Sequence, residues 1–148
     1  MAINTYKQFL MKGTTSSGTT TVTYTKLLDI KETPDIGSSR EALETTTKSD
    51  RAQTFIPGII QISSDGLSFT CNYDKTDYTN VIALKDTETP YAIWFGGTDN
   101  ANGVPTPTGS EGKWEFKGYA DAVVVGSGVN EVQNMNVVII PSTPITPA

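Results

Sequence analysis

The chain contains no histidine. That absence removes the commonest general base, the physiological-pH switch and the usual metal ligand together. Serine and cysteine triads fail for the same reason. A single cysteine, Cys71, rules out an intrachain disulfide and, without partners, a zinc or iron–sulfur site. It sits in the alternating run Leu67–Tyr73, where a small core thiol is the expected role. No stretch approaches 18 consecutive apolar residues, and MAINTYKQFLMKG lacks the apolar centre of a signal peptide. A chain made in a cytoplasm, with no membrane partner, is the expectation. Basic residues are also few, 11 against 16 acids, for a net charge of −5. Gripping nucleic acid takes clustered Lys and Arg, so DNA binding is not expected.

What remains is β-forming. Thr is the commonest residue, and Thr, Val, Ile and Tyr suit a pleated surface. Thirteen Gly and eight Pro punctuate short segments, as a sandwich or barrel requires. A length of 148 residues suits one domain. The expected divisions are a β domain over 1–140, with 1–23 as a possible flexible arm, and a Pro-rich tail over 141–148.

Strands are expected over Val22–Ile30 and Glu41–Lys48, with a turn at Pro34–Gly37 between them. Ser63-Ser-Asp-Gly66 signals a hairpin into the strand Leu67–Tyr73. Lys75–Lys85 is the one convincing helix. Asp74 or Thr76 caps it, and Tyr78, Val81, Ile82 and Lys85 form its stripe. Pro90–Gly96 reads as a buried strand, and 97–112 as a flexible polar insertion. Within that insertion Asp99–Gly103 only loosely matches a calcium loop, since Ala101 replaces an oxygen ligand. Lys113–Val125 is the longest strand, roughly 40 Å at about 3.3 Å per residue, with a bulge or bend at Gly118. Asn134–Ile140 returns as its partner.

No catalytic, cofactor-binding or metal-binding set emerges. The acids are numerous enough to pair by chance, and there is no phosphate-binding loop. Trp94, Trp114, Tyr91 and Tyr119 suggest a sugar-stacking platform, against the simpler reading that they pack a core.

The stretch Leu27–Gly58 is too long for a simple connection between strands. The loop at its end, Lys48–Ile59, contains Lys48, Ser49, Asp50 and Arg51, then the apolar knot Phe55-Ile56-Pro57-Gly58 and Ile59 after it. We expect this loop to cross to a neighbouring subunit. The alternative is a plug folded back onto its own core.

The order of these features resembles the major tail tube proteins of long-tailed, non-contractile bacteriophages. The residues carrying the likeness are Met11–Thr14, Tyr24–Ile30 into Thr33–Gly37, Glu41–Asp50, Phe55–Gly58, Leu67–Tyr73 into the helix, and Glu115–Gly118. The resemblance implies an antiparallel β-sandwich or split barrel flanked by one helix. It further implies hexameric rings stacked into a hollow virion tail tube that conducts DNA without binding it. Tape measure, terminator and distal tail proteins would be its partners, and the host cytoplasm its place of assembly. Lumen-facing acids are expected among Glu44, Glu115, Asp121 and Glu131. Two other classes remain open: a carbohydrate- or receptor-binding β-sandwich, and a tube subunit of a phage-derived bacteriocin or secretion system.

Overall fold

The computed structural model describes residues 7–15, 18, 21–36, 39–61, 66–99, 101–103 and 105–148. The chain is mainly β, with one helix and antiparallel pairing throughout. In chain order the elements are β1 (Gln8–Thr15), β2 (Val22–Leu28), β3 (Ser39–Glu44), β4 (Phe55–Gln61), β5 (Leu67–Asn72), α1 (Lys75–Ile82), β6 (Thr89–Asp99), β7 (Pro105–Val124), β8 (Asn134–Pro141) and β9 (Thr146–Pro147). The main sheet runs β2-β1-β6-β7-β8-β5, with β9 beside β7, and β3 and β4 form a separate two-stranded sheet.

The main sheet nearly closes on itself. Beyond β2 the chain crosses to the far edge, where the Lys31 N–H donates to the Thr70 carbonyl at 2.7 Å. The Thr70 N–H donates in turn to the Glu32 carbonyl at 3.4 Å. One edge strand thus continues into a bridge with the other, as a split barrel requires.

Alternation decides what lies inside. Leu67, Phe69 and Cys71 of β5 and Met135, Val137 and Ile139 of β8 are buried, while the residues between them are not. Leu10, Leu28, Tyr91, Ile93, Phe116, Ala120 and Ala122 complete that core, and Val81 of α1 closes it. A smaller cluster of Phe9, Met11 and Ala92, with Tyr24 and Trp94 against it, lies on the opposite face of β1 and β6.

The helix starts where Asp74 caps it, its Oδ1 accepting from the Thr76 and Asp77 N–H groups at 2.8 and 3.3 Å. It ends at Ile82, one turn before the expected Lys85, and continues as turns. Of its stripe, Val81 is buried, Tyr78, Ile82 and Leu84 pack partly on the core, and Lys85 is exposed.

Several local expectations are corrected. Segment 97–112 is not a flexible insertion, because β6 runs on to Asp99 and pairs with β7 from Pro105 onward. A register irregularity between Phe95 and Gly97, with Gly96 at φ 101°, carries the strand past the end of its aromatic run. No irregularity falls at Gly118, which is instead where β7 exchanges partners. It pairs with Thr89 of β6 and Pro141 of β8, β6 flanking the earlier residues and β8 the later ones. The strands on either side of Ser63–Gly66 do not pair, since β4 joins β3 and β5 joins β8; residues 63–65 lie outside the described residues. Of residues 1–23, Gln8–Thr15 form an inner strand of the sheet, while Tyr6 and most of 16–20 fall outside the described residues. Residues 141–148 lie along β7, where Ile145 enters the core and Pro147 pairs with Trp114.

Gly118 carries a testable constraint. A Cβ there would stand 2.4 Å from the Ile140 carbonyl oxygen, a backbone atom that cannot step aside. Gly118→Ala is therefore expected to cost about 1–3 kcal/mol, as overpacking does. Chemical denaturation should show this as a lower midpoint with unchanged slope; an unchanged midpoint would mean that β8 yields freely.

Candidate assembly surface

The hairpin of β3 and β4 makes no strand pair with the main sheet. Its ladder sets Leu43 opposite Ile56 and Glu44 opposite Phe55, so both faces carry apolar side chains. Leu43 is 46% exposed, Phe55 53%, Ile56 51% and Ile59 83%. None of these four belongs to either core cluster. The expected loop Lys48–Ile59 is therefore only partly a loop. Phe55, Ile56, Pro57 and Ile59 are strand, and β3 ends at Glu44 where a strand to Lys48 was expected. Pro57 hid the strand in the sequence. It is tolerated because each strand of this two-stranded sheet has a free edge, and the register slips between Arg40 and Ala42 next to it. The knot is not a plug in either core cluster, since Phe55 and Ile56 are about half exposed and belong to neither.

The turn of the hairpin satisfies itself. The Thr45 N–H donates to the Thr54 carbonyl at 2.8 Å, and the Thr54 N–H to the Thr46 hydroxyl at 2.8 Å. Asp50 accepts from the Thr47 N–H through Oδ2 at 2.7 Å. With Asp50 so engaged, Lys48 and Arg51 are left as exposed cations with no ion pair among the described residues. A lone two-stranded hairpin is marginal in water. The β3–β4 arm displays four apolar side chains, each at least 46% exposed.

The four expected lumen acids do not come together. Glu44 lies on the arm. Glu131 lies in the β7–β8 connection, where its Oε2 accepts from the Gly128 N–H at 2.9 Å. Glu115 and Asp121 share the face of β7 opposite Phe116 and Ala120, with Lys117 and Tyr119 between them. Asp121 accepts from the Ala122 N–H at 2.8 Å. Burial, and after it the nearby charge of Glu115, pushes the Tyr24 phenol up.

The aromatic residues do not make an open platform. Tyr91 is fully buried 6.1 Å from the Phe116 ring, and Trp114 packs 4.8 Å from Phe95. The Lys113 ammonium covers the Trp94 ring at 4.3 Å. Only Tyr119 is substantially exposed. Cys71 is buried, its Sγ donating to the Met135 carbonyl at 3.4 Å, and burial followed by the charge of Asp77 pushes the thiol up to about 11. Among the described residues no helix is long and apolar enough to cross a membrane, and no three Cys, Asp or Glu side chains form a metal-binding group.

A curled antiparallel sheet with one helix on its core and a hairpin standing off it defines the fold, and that fold has known counterparts. No protein-family model and no curated protein sequence matches the chain. In structure it is similar to a chain of the anti-feeding prophage baseplate, solved by cryo-EM with 6-fold symmetrisation. The TM-score is 0.60 at 9% identity, over 100% of this chain and 97% of that one. It is also similar to a chain of the cap that terminates the anti-feeding prophage tube, with a TM-score of 0.61 at 12% identity, over 100% of this chain and 91% of that one. At such identities the likeness is one of fold.

Proposed function

We propose that this protein is a structural subunit of a phage-tail-like particle, assembling through its β3–β4 arm into rings that stack as a tube. The arm carries the reading, since it leaves Leu43, Phe55, Ile56 and Ile59 uncovered. The fold likeness to baseplate and tube-cap chains of a prophage particle supports the same class. A hexameric ring with a DNA-conducting channel is the specific form we favour. Asp121, on the sheet face away from the core, is the acid we place toward the channel, where negative charge would let phosphates slide past. Nothing in the geometry calls for catalysis, and other tail proteins would be the partners at the tube ends.

A second reading rests on the neighbours themselves. Because they belong to a prophage particle's baseplate and cap, it gives the subunit the role of a ring that ends a tube instead of building its length. Negative-stain electron microscopy of the purified protein separates the two. Hollow tubes of uniform diameter are expected; rings that never stack would favour the baseplate or cap role, and a persistent monomer at high concentration would overturn both.

A further inference from the structure

We infer that the arm of one copy seats Phe55 and Ile56 in a groove on the body of the next, between β2, the start of β6, β7 and the residues leading into β9. This rests on the proposed role of the arm in assembly, and it names the receiving surface.

The groove is about 390 Å³; Val22, Tyr24, Pro90 and Pro144 give it apolar walls, and Glu115 and Lys117 are among its polar members. That is roughly the lower range of clefts that bury a small ligand, so a few side chains fill it. Its shape comes from the sequence. A Cβ on Gly13 would stand 2.5 Å from Val22 Cγ1, 2.9 Å from Pro90 Cβ and 3.0 Å from Tyr24 Cε1. Glycine there lets these three apolar side chains draw together over β1.

Charge selects the occupant. Glu115 has no ion pair among the described residues, and the arm brings two exposed cations, Lys48 and Arg51, at its turn. The body as a whole is acidic, whereas the turn over 45–54 carries two cations and one acid. An arm from a second copy therefore meets an apolar seat beside Glu115, whose carboxylate makes no ion pair with the Lys117 that also lines the groove.

The competing free edge is closed to such a guest. Pro105 and Pro107 pair with Asp99 and Gly97, but proline cannot donate. The ladder there must run through Thr98 and Thr106, which leaves both proline nitrogens on the outer edge of β7. β2, beside the groove, contains no proline, and no described strand pairs its outer edge.

Cysteine pairs placed in separate preparations test the assignment. Phe55→Cys is mixed with Thr143→Cys, and Arg51→Cys with Glu115→Cys, under mild oxidation in the assembled state. Buried Cys71 stays silent. A reducible dimer is expected in each mixture and from no variant alone. Wild-type tubes that fail to form when the arm is altered, together with no dimer from either pair, would overturn the groove and leave the arm's role standing. Absence of wild-type assembly would remove both.

Discussion

Replacing Phe55 and Ile56 together with Asp is expected to leave the folded body intact and to abolish assembly. The body is spared because both side chains are about half-exposed and touch neither core cluster. Surface substitutions away from packed features stay near ±0.5 kcal/mol each. In a chain of this size 1 kcal/mol moves Tm by roughly 2–4 °C, so a shift below about 4 °C is expected by circular dichroism. Assembly responds differently. Fully burying a Phe or Ile is worth about 1.5–3 kcal/mol, and roughly half of that is still to be gained at each residue. The contact loses on the order of 2 kcal/mol from the removed area alone, and two carboxylates must then be desolvated in an apolar seat. In a closed ring every subunit gives and receives one such contact, so the loss recurs at each interface. Sedimentation velocity should show monomer at concentrations where the wild type forms large assemblies. A Tm drop above 10 °C would mean that the arm belongs to the core.

The sequence singled out this segment but not its form. Period-two alternation made Leu67–Asn72, the later part of β7 and β8 legible, because each buries one face and solvates the other. The cap at Asp74 was legible because capping is local chemistry. β4 was not, because Phe55–Gln61 carries Pro57 and Gly58 in mid-strand and no alternation survives a hairpin with apolar residues on both faces. The tip of the β6–β7 hairpin was missed for a related reason. Pro, Gly and Thr dominate it, and only the pairing of Asp99 with Pro105 reveals a ladder. The closing bridge from Glu32 to Thr70 joins residues 38 apart and has no local signature. The groove likewise draws on four strands and has no local signature.

The same residue type should behave oppositely at Phe69. Its side chain is 0% exposed, in the middle of β5, with Cys71, Val137 and Ile139 in the same core cluster. Phe69→Ala removes a large apolar group from a site walled by strands on both edges, β8 on one side and the Glu32 bridge at Thr70 on the other. The backbone cannot collapse into the space, so the loss includes a cavity as well as transfer. Such truncations cost about 3–5 kcal/mol, which corresponds here to a Tm lower by roughly 6–20 °C. Well below that temperature the variant keeps its arm and its groove, and it should still assemble. Phe55→Ala should do the reverse, with a near-native Tm and weakened assembly, since its ring is half exposed and in the proposed role is covered by another chain. If Phe69→Ala melts like the wild type, the core drawn around β5 and β8 is wrong. If both variants lose stability and assembly together, the arm is an extension of the core and the division between body and arm collapses.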